Sequence, residues 1–154
     1  MGNRMRAVMS KLRDGGGVYV NGLTQKAFPS LMSGNSVEAD EAVFAVLYLD
    51  NGASNWRVTE NVVGNSPAAW AFFMQGCCNL PAYDSEVDHV WWQLPMLAPQ
   101  NNCAAHNCTV DDATIFELAA GAPLPPEAQA IVDASGPRPA RVAAARRAAV
   151  GARA

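Results

Sequence analysis

An apolar run that leads into an Asn-Gly pair limits the possible folds of this chain more than any other segment. Ala42–Leu49 reads Ala-Val-Phe-Ala-Val-Leu-Tyr-Leu, and Asp50-Asn51-Gly52 follows directly. A strand that is apolar on both faces suits the middle of a sheet, and Asn-Gly favours the positive φ angles of two-residue hairpin turns. The chain continues as Asn55–Val63, where Trp56 and Val58 alternate with polar residues. The pattern predicts a hairpin with a central first strand and a half-exposed second strand.

Two further segments have the character of strands. Asn21-Gly22, directly after Val18-Tyr19-Val20, predicts a short hairpin near the start of the chain. Val90–Leu97 predicts another strand. Because proline cannot donate a ladder hydrogen bond, Pro95 places this strand at a sheet edge or ends it early.

Helix-capping residues predict three short helices. Ser66-Pro67 resembles an N-cap followed by proline in the first turn, and we expect a buried helix over 68–75 that ends at Gly76. Thr109 predicts a second N-cap, with a helix that runs to about Ala120. Pro125-Pro126 predicts the start of a third helix, which ends near Gly136.

Strands and helices mix along the chain without regular alternation, and no internal repeat of solenoid length is visible. We therefore predict an α+β fold, in which a small antiparallel sheet built from hairpins carries short packed helices and basic flanking segments. Neither a P-loop nor a GxGxxG pattern occurs, which excludes the common nucleotide-binding motifs.

Charge divides the chain into three parts. The net charge is +4 over residues 1–13, −12 over residues 14–136 and +5 over residues 137–154, which sums to −3. We interpret residues 1–16 as a basic amphipathic N-terminal segment, 17–136 as an acidic α+β domain and 137–154 as an Ala/Arg-rich basic tail. Such asymmetry points to electrostatic partners.

The sequence predicts an intracellular, soluble protein. No apolar stretch reaches the roughly 20 residues that a transmembrane helix needs, and charged residues interrupt the one candidate secretory signal. Met5, Val8, Met9 and Leu12 recur at helical spacing among basic residues, which predicts an amphipathic helix. Such a helix could cap the domain, lie on an anionic surface or serve in organellar targeting. Unconventional secretion also stays open.

The densest group of reactive side chains predicts one possible function, a cysteine-dependent hydrolase or transferase. Cys103 lies just before the predicted Thr109 helix, where the helix N-terminus would stabilise its thiolate. His89 could act as the base and Asp88 could orient it, while Asp84 and Glu86 are alternatives to Asp88. The Asn-Asn-Cys that ends at Cys103 resembles the nucleophile segment of permuted papain-like hydrolases, over about 20 residues. That resemblance implies a histidine strand ahead of a cysteine helix, and Cys108 is the alternative nucleophile.

The same residues suit a zinc site, since thiolates and imidazoles are the usual zinc ligands. Cys103, His106 and Cys108 are close in sequence, and His89 could supply the fourth ligand, as could Cys77 or Cys78. The spacing differs from the common CxxC knuckles. A small zinc-stabilised domain is therefore a second alternative, and zinc is the one cofactor that the sequence suggests.

A structural role for the cysteines is the third and leading interpretation. They could be buried thiols, or one of Cys77 and Cys78 could form a disulfide with the later cluster. In an intracellular protein reduced thiols are the default expectation.

Aromatic side chains predict a binding surface instead of catalysis. Adjacent residues of a strand face opposite ways, so one of Trp91 and Trp92 faces outward and could form a platform with Tyr83. We therefore expect a non-enzymatic binding or assembly module that attaches to a larger protein partner through this aromatic edge and through its basic ends, including Arg146 and Arg147. Nucleic acid and anionic surfaces are further possible partners of the basic ends.

Overall fold

Short parallel strands make up most of the described part of the chain. The structure is a computed structural model that describes residues 2–6, 15–22, 28–38, 44–64, 70–75, 82, 84–93 and 95–136. Its strands are Arg4–Met5 (β1), Gly16–Asn21 (β2), Ser30–Ser33 (β3), Ser36–Glu38 (β4), Ala45–Asp50 (β5), Trp56–Thr59 (β6), Asn61–Gly64 (β7), Trp70–Met74 (β8), Glu86–Val87 (β9), Val90–Gln93 (β10), Gln100–Asn101 (β11), Thr109–Val110 (β12) and Ile115–Leu118 (β13). In the described part of the chain one α-helix, α1, follows them over Pro126–Ala134.

The strands form three parallel sheets. Sheet A contains β1, β4, β7, β10 and β13; sheet B contains β2, β5, β8 and β11; and sheet C contains β3, β6, β9 and β12. The chain passes through sheets A, B and C in turn before it returns to sheet A. The described residues therefore form a β-solenoid, in which each coil stacks on the previous one.

The predicted α+β fold with an antiparallel hairpin sheet is wrong. The Asn-Gly pairs end the sheet B strands β2 and β5, and their glycines do have positive φ angles, 101° at Gly22 and 76° at Gly52. These angles turn the chain toward sheet C instead of back along the same sheet. As a result β5 and β6 belong to different sheets, and β5 pairs in parallel with β2 and β8.

Two of the three predicted helices are also wrong. The segment predicted as a helix over 68–75 contains strand β8 instead. Its side chains alternate as they do in a strand, since Phe72 and Met74 point into the core while Phe73 packs in a separate aromatic cluster. The helix predicted from Thr109 is replaced by β12, a 3-10 turn at Asp112–Thr114 and β13. The third predicted helix is confirmed as α1.

The predicted N-terminal helix falls mostly on residues that the structure does not describe. Val8, Met9 and Leu12 lie outside the described residues, as does the whole basic tail, 137–154. Met5 belongs to β1, which pairs with β4 in sheet A.

Apolar side chains from all three sheets fill the inside of the solenoid. Alternate residues of a strand face inward, so the same inward position recurs from coil to coil. Leu47 pairs with Phe72 in sheet B, and Val58 pairs with Val87 in sheet C. These side chains belong to one buried cluster, which also contains Trp92 of sheet A.

Asparagines take the place of apolar residues at one corner of the interior. The side-chain oxygen of Asn35 accepts a hydrogen bond from the backbone N–H of Asn3, and that of Asn61 accepts one from the backbone N–H of Asn35. Asn35 and Asn61 are buried, at 5% and 0% exposure. The stacked amides supply partners that buried backbone groups need where strands end.

Left-handed residues recur at two corners of successive coils. Between sheets C and A the positive φ angles are 69° at Gly34, 54° at Glu60 and 46° at His89. Just before the strands of sheet C they are 57° at Asn55, 50° at Asp84 and 60° at Asn107. Asn and Asp tolerate this conformation better than other non-glycine residues, which explains three of the six positions.

Helix α1 crosses the outer face of sheet A. Ala128 and Val132 are buried against Trp91. The N–H of Gly136, just after α1, donates a hydrogen bond to the carbonyl oxygen of Gly2 over 3.1 Å. The helix therefore connects the last coil to the first.

Candidate functional site

A groove lies on the outer face of sheet A, between the start of α1 and the last coil. Its cavity volume is about 840 Å³. The corner between sheets C and A forms one wall and α1 forms the other. The lining residues are Glu60, His89, Trp91, Ile115, Phe116, Glu117, Leu118, Pro125, Glu127 and Ile131.

Two stacked aromatic rings form the floor of the groove. Trp91 and Phe116 occupy paired positions in β10 and β13, so both side chains point outward from sheet A. Their ring centroids are 5.2 Å apart and the planes differ by 22°. Because α1 covers the tryptophan, Trp91 is only 7% exposed, whereas Phe116 is 36% exposed. The accessible aromatic surface of the groove is therefore mainly that of Phe116.

Three exposed glutamates, Glu60, Glu117 and Glu127, are among the lining residues. Glu60 and Glu127 lie beside the aromatic floor, whereas Glu117 pairs with the inward-facing Trp92, so its side chain leaves β13 on the side opposite to Phe116, at the end of the solenoid. None of the described lining residues is a lysine or an arginine. The surrounding sequence has the same character, since residues 58–137 contain nine acidic residues and no Lys or Arg. The groove thus combines negative charge with an aromatic face, a pairing that attracts cations.

His89 lies on the wall of the groove and contacts its neighbour Asp88. Nδ1 of His89 lies 3.2 Å from Oδ1 of Asp88, and NH2 of Arg57 lies 3.0 Å from Oδ2 of the same carboxylate. Oδ1 is buried and lacks a hydrogen bond of good geometry despite the nearby ring. The His89 side chain is 51% exposed, so its ring stays accessible.

Opposing effects act on the pKa of Asp88, and the net pKa is lowered. Burial alone would raise it, because a low-dielectric surrounding disfavours the charged carboxylate. The Thr59 hydroxyl, the His89 ring and the positive charge of Arg57 together outweigh burial. Asp88 therefore remains a carboxylate at neutral pH and holds the corner beside the groove.

The structure separates the residues that were predicted for cysteine catalysis. Asp88 and His89 are adjacent at the corner between sheets C and A, whereas Cys103 lies between β11 and β12. Cys103 forms a disulfide with Cys108 and contacts the sulfur of Met74 at 3.7 Å inside the core. It carries no free thiol in this state, so the expectation of reduced thiols does not hold for these two residues.

The four predicted zinc ligands are not gathered either. Cys103 and Cys108 are bonded to each other, His106 is exposed beside them and His89 lies at another corner. Among the described residues no three His, Cys, Asp or Glu side chains come together as a metal site would require. Cys77 and Cys78 lie outside the described residues.

The predicted aromatic platform is only partly described. Trp92 points inward and belongs to the core, while Trp91 faces outward beneath α1. Tyr83, Arg146 and Arg147 lie outside the described residues. Phe116, Glu60 and Glu127 were not predicted as site residues. The register between β10 and β13 brings Phe116 next to Trp91, and no local sequence pattern signals that register.

Comparisons with protein-family models, with curated proteins and with solved structures find no match to this chain. Function therefore has to be inferred from the site itself. Within the described residues no helix has the length and apolar character needed to cross a membrane.

Proposed function

We propose that the chain is a non-enzymatic binding module whose groove holds a basic segment of a protein partner. The observation that carries this proposal is the Trp91–Phe116 stack with Glu60 and Glu127 beside it. A guanidinium or ammonium group over the Phe116 ring would gain a cation–π contact, and the carboxylates would add charge-assisted hydrogen bonds.

The groove suits an arginine side chain better than a neutral one. Arginine has a planar guanidinium that stacks on aromatic rings and binds carboxylates through two parallel hydrogen bonds. Residues 58–137 contain no Lys or Arg, so no basic side chain of this segment competes with a basic ligand for the carboxylates of the groove. The basic ends of the chain, including Arg146 and Arg147, stay a predicted second contact with partners.

Titration with two matched peptides tests the proposal. The first peptide is a short arginine-containing sequence with blocked ends, and the second carries citrulline, a neutral isostere, at each arginine. Calorimetry should show binding of the arginine peptide at least about tenfold tighter than that of the citrulline peptide. Added salt should weaken the arginine complex, because exposed charges are screened.

Two groove variants and one control complete the experiment. Phe116→Ala and Glu127→Gln should each weaken binding of the arginine peptide, whereas Glu86→Gln should not. Glu86 is also an exposed glutamate, but it lies on sheet C, away from the groove. Equal affinity for the two peptides, or binding that ignores both groove variants, would overturn the proposal.

A further inference from the structure

The described basic residues of the first coil lie beside the point where the basic tail is attached. Arg4 belongs to β1, the first strand of sheet A, and Arg6 follows it with a 60% exposed side chain whose Nε lies 3.3 Å from Oε2 of Glu38. A Cβ atom on Gly136 would lie 3.1 Å from Cβ of Arg4, so the end of the described chain touches the first coil. Residues 137–154 follow Gly136 in sequence and carry Arg138, Arg141, Arg146, Arg147 and Arg153.

The opposite end of the solenoid is acidic. Glu117 belongs to β13, the last strand of sheet A, and Glu127 lies in the first turn of α1 beside it. Asp111 and Asp112 precede β13 in the same coil and are exposed. The helix thus runs from the acidic end, where the groove lies, to the end at which both basic segments are attached.

The two end strands of sheet A could pair in parallel with each other between neighbouring copies. No described strand covers the outer edge of β13 or of β1, although the N–H of Gly136 donates a hydrogen bond to the carbonyl oxygen of Gly2 at the outer edge of the first coil, and all strands of the sheet are parallel. One outward column of this sheet contains Arg4, Ser36, Val62, Trp91 and Phe116. A second copy whose β1 continued the sheet beyond β13 in this register would bring its Arg4 to the exposed ring of Phe116.

We propose that the partner of the groove is a second copy of this chain, bound head to tail through its basic first coil. This inference rests on the proposed function, because it assigns the basic segment that the groove holds. A contact between two different ends does not close on itself unless the rotation between copies forms a ring, so the expected product is an open series of copies.

Sedimentation velocity over a concentration series that reaches the millimolar range tests this proposal. The wild-type chain should form species larger than its 16.3 kDa monomer, with a weight-average mass that rises with concentration and falls with added salt. A wild-type chain that stays monomeric over the whole series at low salt would overturn the proposal. So would a dimer that does not grow further.

A charge swap identifies the surfaces. Arg4→Glu and Glu117→Arg should each abolish association, because each reverses one of the two ends. An equimolar mixture of the two variants should associate again, since every end then meets an end of opposite charge. Glu86→Arg, a control on sheet C, should associate like the wild type. Association of either single variant alone at wild-type strength, or no recovery in the mixture, would contradict the proposal.

The peptide titration separates this inference from the proposed function. Arg4→Glu leaves the groove unchanged and should still bind the arginine peptide with wild-type affinity. If the peptide binds and the wild-type chain stays monomeric, the second copy is not the partner and the groove still is a site for basic segments. If the peptide does not bind, the proposed function fails as well.

Discussion

The side-chain oxygen of Asn61 accepts two hydrogen bonds from Asn35, one from its backbone N–H over 3.1 Å and one from its side-chain amide over 2.8 Å. The amide of Asn61 donates in turn to the carbonyl oxygens of Met32 and Thr59. One buried side chain thus satisfies polar groups of two coils at the corner between sheets C and A.

We expect Asn61→Ala to lower the free energy of unfolding by about 2–4 kcal/mol, because it leaves several buried polar groups without partners. Urea denaturation would measure the change. Asn3→Ala is the matched control, since Asn3 is at the exposed end of the same ladder and should lose no more than about 1 kcal/mol. Equal losses in the two variants would show that burial of the ladder does not matter.

Gly34 and Glu60 occupy equivalent corner positions with φ angles of 69° and 54°. Gly34→Ala should destabilise the fold by about 1 kcal/mol, because the left-handed conformation is unfavourable for residues with a Cβ atom. The new Cβ would meet Gly2 at an ordinary 3.5 Å, so no steric clash adds to this loss. Glu60→Gly should raise the free energy of unfolding by about 0.5 kcal/mol. Glycine removes the strain of the left-handed conformation, and this gain exceeds the loss from the larger conformational entropy of the unfolded chain. Thermal denaturation would measure both variants, and melting temperatures that shift in the same direction would contradict this account.

Local patterns in the sequence identify several elements but not their partners. The apolar run at Ala42–Leu49 overlaps strand β5, and Pro125-Pro126 does begin a helix. The prediction failed at Asn51-Gly52, because a positive φ angle turns the chain equally well into a hairpin or toward another sheet. Local sequence contains no information that distinguishes these two outcomes.

The repeat that defines the solenoid is hidden because its coils differ in length. Trp91 pairs with Val62, 29 residues before it, and with Phe116, 25 residues after it. Periodicity at a fixed spacing is what reveals most solenoids in sequence, and unequal coils remove that signal. The groove was not predicted for the same reason. Phe116 lies next to Trp91 in the fold, but the register that places it there is not visible in the sequence.

The contact of α1 with sheet A should depend on Ala128, whose exposure is 0%. We expect Ala128→Lys to lower the free energy of unfolding by about 2–4 kcal/mol, because it places a long charged side chain between the helix and the sheet. The matched control is Ala130→Lys, at an exposed position of the same helix, which should change stability by less than about 0.5 kcal/mol. Similar urea midpoints for the two variants would mean that α1 does not stabilise the solenoid.

The disulfide between Cys103 and Cys108 closes a short loop between sheets B and C. Before reduction, iodoacetamide should label neither residue of the native chain, and after reduction in denaturant it should label both. Replacement of both residues by alanine should lower the free energy of unfolding by about 2 kcal/mol, as loop-closure entropy predicts. Rapid labelling of Cys103 in the unreduced native chain would contradict the disulfide and favour the predicted thiol nucleophile.

Acid should weaken the corner at Asp88, where the carboxylate contacts Arg57 and His89. Its pKa is lower in the folded chain than in the unfolded chain, so it contributes stability above the unfolded pKa of about 3.9 and loses that contribution as pH falls through the folded value. Asp88→Asn should therefore be less stable than the wild type at neutral pH, and the difference should shrink as pH falls below the unfolded pKa and through the lower folded pKa. Urea denaturation at several pH values would measure this difference, with Asp112→Asn as an exposed control that leaves it unchanged. A difference between wild type and Asp88→Asn that stays constant across this range would show that the carboxylate charge does not stabilise the corner.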